Sequence, residues 1–506
     1  MSKAPVGKGK SAKKDRGPLL AAHAEALRSG VGVTPDGVTV KGKLEAALNI
    51  WSMAIAGEDE REEIFKAGIA PLLQQLLDRG DVEERHAAMG CVSVLALSEK
   101  HIAEVVNAKV IAAAAGLLVS EHARGKLPAV QLLRHCAGRQ EFCSKVADAA
   151  LPALVDVLKS EGLPGWGQMR QAQMHAAHTL RLLLDNVEGE APEVRQLRRV
   201  AVLQMGAVAP LAAMVAYTPR LPPPALMPAP PPVVTKKKGA ASKKKKEGET
   251  PLGAKDAAAT VAAACLRFLS LVPEFVEQFM RTGTLSEVVA GLPVCGEEQA
   301  AYLTGILWEA SAEATIAEAA VAAGAVPALL HVCSRNLAGC RTGKPKAAAK
   351  KDDKKDGKAN AAKQDGKDSK GGKGGKGGSG SGAGGDLPNF ADMAVCNAAG
   401  ALQHLTFLDA AKQQVALRGG VPILTACLKV SNPQTYENAA GALWNVGLDV
   451  RNNLVLQAAG APEFLARPVP NSWLTRGEND RPSAAGDVGD ASDVRDRVFL
   501  TQAPFM

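Results

Sequence analysis

Aromatic residues are scarce in this 506-residue chain, at 4% of the sequence, although 46% of it is hydrophobic. A core of that composition has to be built from Ala, Leu and Val, small residues that let helix backbones approach closely, so an all-α architecture is expected. The nine cysteines are odd in number and never spaced as C-x-x-C, which argues against a disulfide framework and against a zinc site and leaves them as reduced core thiols. No uninterrupted apolar run reaches 18 residues, and "MSKAPVGKGKSAKKDRG" at the start holds no apolar signal region. These two absences point to an intracellular, soluble protein without a membrane partner.

Signals for catalysis are missing as well. H-E-x-x-H does not occur, and "HAAH" at His175 and His178 puts two imidazoles on one helix face with no third ligand nearby. "GCRTGKP" from Gly339 to Pro345 falls one residue short of a phosphate loop and carries Pro345 where Ser or Thr would hold magnesium. The expectation is therefore a non-enzyme with no catalytic residues, no cofactor and no metal.

What the chain has instead is repetition. "NAAGAL" stands at 397–402 and again at 438–443. Apolar stretches are followed by a small-residue phrase at Gly68, Gly206, Gly283, Gly324, Gly419 and Gly460, with degenerate copies near Lys109 and Ala150. Gly283 to Gly324 and Gly419 to Gly460 each span 41 residues, the period of a helical repeat array. Within each unit a short helix ends at the Gly, which takes a left-handed conformation without steric cost; Pro71, Pro327 and Pro422 then mark the next helix start, and a third, apolar helix follows.

The order "NAAGALWN…AAGAPEFL", with this Gly and Pro placement and this period, resembles the armadillo repeat over roughly residues 44 to 467. HEAT-like helical pairs are the structural alternative. The resemblance implies a right-handed α-solenoid of about eight repeats, some degenerate. It divides the chain into a disordered basic N-terminus (1–18), N-terminal repeats (19–220), a Pro/Lys-rich insert (221–255), central repeats (256–335), a Lys/Gly-rich insert (336–389), C-terminal repeats (390–467) and a tail (468–506). Both inserts are too poor in apolar residues to offset the entropy of ordering, and are read as disordered loops between second and third helices.

A solenoid of this kind offers a long surface for an extended protein partner. In armadillo proteins the third helices line the concave groove. The resemblance places Gln131, His135, His178, Phe268, Trp308, Glu309, Gln403, His404, Trp444 and Asn445 there. For Trp308 and Trp444, packing between helices is the competing role. Importin-alpha members keep a Trp four residues before the Asn as a shelf for lysine; here that position is Gly441, and Gly400 or Gly305 in the matching repeats, which weakens a nuclear-import reading.

Charge is unevenly placed. Residues 1–17 carry six Lys/Arg against one Asp, 235–255 eight against two, and 341–386 thirteen against six, so with a whole-chain net of +8 the remainder is acidic. Lys236, Lys237, Lys238, Lys243, Lys244, Lys245, Lys246, Lys350, Lys351, Lys354 and Lys355 are thus candidates to contact an acidic polymer such as tubulin tails. Nucleic acid is disfavoured, because no aromatics interleave the basic runs. The expected function is a protein–protein interaction scaffold, cytoplasmic, in the setting of a ciliary axoneme or microtubule. A transport or signalling adaptor of the importin-alpha or beta-catenin kind and an assembly chaperone are the alternatives.

Overall fold

The computed structural model describes residues 16–120, 123–160, 166–185, 190–216, 253–340 and 389–461. Residues 1–15 of the basic N-terminus, nearly all of both inserts with the candidate lysines 236–246 and 350–355, residues 462–467 of the C-terminal repeats and the C-terminal tail lie outside these residues.

The glycines set where the short helices stop. Gly68, Gly206, Gly283, Gly324, Gly419 and Gly460 all have φ between 65° and 86°, a region that residues with a Cβ avoid. Each of them follows a first helix and, at the first five, the chain re-enters a second helix at once, as at Ala70–Arg79, Val208–Ala216, Thr284–Gly291, Ala325–Asn336 and Gly420–Cys427. The two degenerate copies solve the turn differently. Near Lys109 the chain extends at Val106, and the Asn107 side chain accepts from the Val110 N–H at 3.0 Å to start Ala108–Val119. At Ala150 nothing interrupts the helix, so first and second helices fuse into Gln140–Lys159 with Pro152 inside it.

Third helices are the spine of the molecule. Lys43–Ala56, Val82–Leu95, Ala123–Ala137, Trp166–Leu184, Gly253–Leu269, Glu297–Ala310, Phe390–Leu405 and Pro433–Gly447 pack each on the next in one unbroken ladder. Polar caps start several of them. Asp81 and Glu84 form a reciprocal capping box, Asn389 accepts from the Asp392 N–H, and Asn432 accepts from the Gln434 and Thr435 N–H groups. Alanines line the ladder: Ala46, Ala47, Ala88, Ala262, Ala263, Ala300, Ala394, Ala398 and Ala439 are fully buried, which permits close helix packing in a chain with few aromatics. The ladder continues across both inserts, because Val208–Ala216 packs on Gly253–Leu269 and Ala325–Asn336 on Phe390–Leu405.

Two features depart from the reading of the sequence. A short antiparallel hairpin, Val31–Val33 with Thr39–Lys41, sits between the Gly17–Ser29 and Lys43–Ala56 helices, where only helix was expected. The first three residues of the helix Gly253–Leu269, and the turn Leu337–Gly339 with buried Cys340, also lie inside the segments assigned to inserts. All nine cysteines are free thiols, eight of them buried and Cys295 half-buried. Among the described residues no single helix is long and apolar enough to cross a membrane.

Candidate functional site: the third-helix face

The repeated "NAAGAL" has a structural use. Asn438 Nδ2 donates to the Cys396 carbonyl at 3.1 Å, and Asn397 Nδ2 donates to the Ala301 carbonyl at 2.8 Å. Each amide thus reaches back to the third helix of the preceding repeat and lands one residue before its own equivalent. Asn445 repeats the move two turns later, donating to the Gln403 carbonyl at 3.1 Å and to Thr406 Oγ1 at 3.2 Å. His404 does so with an imidazole, Nδ1 lying 3.1 Å from the Trp308 carbonyl. A carbonyl has no proton, so the His404 proton sits on Nδ1.

The glycine of the phrase has a partner too. A Cβ on Gly400 would come within 2.6 Å of the Trp308 indole, one on Gly441 within 2.5 Å of the Gln403 amide, and one on Gly305 within 2.6 Å of the Arg267 guanidinium. Near the N-terminus Trp51 meets Gly90 in the same way, at 2.6 Å. A large side chain of one repeat therefore lies on the glycine of the next, and the positions that carry a Trp shelf in importin-alpha are already covered.

The ten residues assigned to the groove consequently divide. Trp308, half-buried, rests on Gly400, and Asn445, 7% exposed, spends its amide on the neighbouring repeat. Glu309 pairs with Arg267 at 3.0 Å; burial lowers the Arg267 pKa and the Glu309 carboxylate opposes that. Phe268 lies under the Arg199 guanidinium, 5.7 Å from ring centre to charge. His404 and Gln403 are engaged as described, and burial pushes the His404 pKa down. Trp444 stands out at 41% exposure, with Leu448 beside it at 63%. Gln131, His135 and His178 are half-buried on the two helices in the middle of the array.

Around those three residues lies a group that reading single motifs did not bring together. Arg134 Nη1 donates to His175 Nδ1 at 3.0 Å across the third helices Ala123–Ala137 and Trp166–Leu184. Burial, then Arg134 and His135, push the His175 pKa down to about 4. His178 is pushed down to about 4 by burial, then by Arg181, Arg134 and His175. At the end of the second helix of this pair, Arg198 and Arg199 donate to the terminal carbonyls of Leu183 and Leu184, and Arg198 pairs with Glu190. Register was the missing signal: Arg134 and His175 are 41 residues apart, one repeat. Among the described residues no group of three or more His, Cys, Asp and Glu is gathered as for a metal ion.

This succession of three-helix units, glycine-turned and stacked through third helices, is the armadillo fold. Neither any protein-family model nor any curated protein sequence matches the chain. Solved structures do. A beta-catenin structure, from a study of a phosphorylation switch controlling its interaction with cadherin, aligns with a TM-score of 0.56 at 13% identity, over 86% of this chain and 67% of that one. An engineered protein aligns with a TM-score of 0.51 at 17% identity, over 85% of this chain and 78% of that one. Armadillo solenoids are generally non-catalytic scaffolds that bind proteins.

Proposed function

We propose that the protein is a non-enzymatic scaffold that holds an extended segment of a partner protein along its third-helix face, as a cytoplasmic component of a ciliary axoneme or microtubule assembly. The observation that carries the binding role is the unbroken ladder of eight third helices, which offers one long face despite two large insertions. Both insertions join a second helix to a third, so the lysines 236–246 and 350–355 are tethered on one edge of that face, where they can reach an acidic polymer such as a tubulin tail. The occupied glycines at 305, 400 and 441 speak against a lysine-binding shelf of the importin-alpha kind.

The test is photo-crosslinking in ciliated cells from residue 131 and from residue 403, with residue 79 on a second helix as control. Capture of tubulin or axonemal proteins from 131 and 403 but not from 79 is the expected result. Equal capture from all three positions removes the groove reading; capture of transport receptors or chaperones instead favours an adaptor or an assembly factor.

A further inference from the structure

The middle of the third-helix face holds more positive charge than its internal contacts use. On Ala123–Ala137 it carries Arg134 and His135; on the next third helix, Trp166–Leu184, it carries His175, His178 and Arg181. The guanidinium of Arg134 has donors only, so in its 3.0 Å contact with His175 Nδ1 the imidazole is the acceptor and carries its own proton on Nε2. His175 is therefore neutral, and among the described residues the Arg134 guanidinium makes no other side-chain hydrogen bond.

The charges that act on these imidazoles are all of one sign. Arg134 and Arg139 act on His135, Arg134 and His135 on His175, and Arg181, Arg134 and His175 on His178, with no carboxylate among them. Arg181, in the last turn of its helix, pairs with Asp185 just past the helix end, at 4.0 Å. Elsewhere on this face the pattern is different: Arg267 has Glu309 at 3.0 Å. A half-buried cluster of cations and imidazoles in which, among the described residues, only Arg181 has a carboxylate partner, and that one at the 4.0 Å limit of an ion pair, is the complement of an anionic ligand.

We infer that Arg134, His175, His178 and Arg181 form an anion-recognition segment of the groove that selects a partner protein with a carboxylate-rich extended stretch. This deepens the proposed function and rests on its reading of the third-helix face as the binding face. Third helices stacked about 8–10 Å apart match about three residues of an extended chain per repeat. Acidic side chains two to three residues apart in the partner would then meet Arg134 on one helix and Arg181 on the next.

The probe is a fluorescent ten-residue peptide alternating Glu and Ser, titrated against the full chain by anisotropy at about 0.05 M salt, where screening is weak. A Lys/Ser peptide of equal length is the comparison. The Glu/Ser peptide should bind at least tenfold tighter than the Lys/Ser peptide. Arg134→Gln and Arg181→Gln should each weaken it about tenfold, the scale of one hydrogen bond to a charged group. Arg79→Gln, the same charge change at a residue whose side chain is 79% exposed on a second helix, should leave it unchanged. Circular dichroism of each variant separates lost binding from lost folding, and the two arginines serve as independent tests.

Equal affinity for both peptides, or equal weakening by Arg79→Gln, overturns the inference. So does a full chain in which Asp487, Asp490, Asp493 and Asp496 changed to Asn binds the peptide much more tightly, since the site would then belong to the chain's own acidic stretch. The inference fails alone if these titrations fail while crosslinking from residue 131 still captures a partner. If that crosslinking fails as well, the groove reading goes with it.

Discussion

The indole of Trp308 lies where a Cβ on Gly400 would stand, within 2.6 Å, so that the third helix of one repeat is seated on the glycine of the next. Trp444 occupies the matching place two repeats later and is 41% exposed, with no further third helix among the described residues. Two tryptophans that look alike in sequence thus have different surroundings. Trp308→Ala should cost about 3 kcal/mol, in the range of large-to-small changes at packed sites, and Trp444→Ala less than about 1 kcal/mol. Gly400→Ala should also destabilise, since it forces the ring out. Denaturant melts of the three variants check this, and equal losses from both tryptophans would contradict the seating.

Arg267 and Glu309 make a second prediction. The Arg267 side chain is 16% exposed and its pair with Glu309 is 3.0 Å long. Glu309→Gln leaves a largely buried guanidinium without its counter-charge and should cost about 1–3 kcal/mol. Adding Arg267→Met to that variant should recover part of the loss, because the uncompensated charge goes with it. A double-mutant cycle measured by chemical denaturation decides, and strictly additive losses would show the two residues to be uncoupled.

These two pairs also show how much of the molecule was legible beforehand. Period, helix order and all six glycine turns could be read because a left-handed turn demands one residue type, which leaves a mark at fixed spacing. Asn397 and Asn438 could be seen to repeat, but their bonds to the preceding repeat could not, since hydrogen bonds across 96 and 42 residues need the register. The fusion of two helices through Ala150 was invisible for the opposite reason: losing a glycine leaves only an absence. The cluster of Arg134, His175, His178 and Arg181 is spread over two repeats, and the chain's acidic remainder gave no hint of a local excess of cations.

The histidines give the pH prediction. His175 and His178 have folded values near 4 against an ordinary 6.5, depressed by burial and by Arg134 and Arg181. The unfolded chain therefore takes up these protons first as pH falls. Their contribution to stability is fully present above about pH 6.5 and is lost on the way down toward about 4. Carboxylates titrate near the lower end of that window, so the informative quantity is a difference. His175→Gln with His178→Gln should flatten the fall in melting temperature between pH 6.5 and 4.5 relative to the unaltered chain. Parallel curves for the two proteins would show that these imidazoles are not held neutral by the fold.

The insertions give the last prediction. Val208–Ala216 packs directly on Gly253–Leu269, and Ala325–Asn336 on Phe390–Leu405, so each pair of helices flanking an insertion is held by its own contacts. Loop length then enters stability only through closure entropy, which grows as the logarithm of length and amounts to about 0.6 kcal/mol per doubling. Replacing residues 219–250 and 343–386 by short Gly/Ser linkers should leave helicity and cooperative melting nearly unchanged, and should raise stability slightly. Binding is expected to respond differently: the lysines at 236–246 and 350–355 are gone, so affinity for acidic polymers such as tubulin tails should fall and lose part of its salt dependence. Circular dichroism and tubulin co-sedimentation of the shortened chain separate the two effects. Broad, uncooperative melting would mean that the insertions help to hold the ladder, whereas unchanged co-sedimentation would take the lysines out of the binding site.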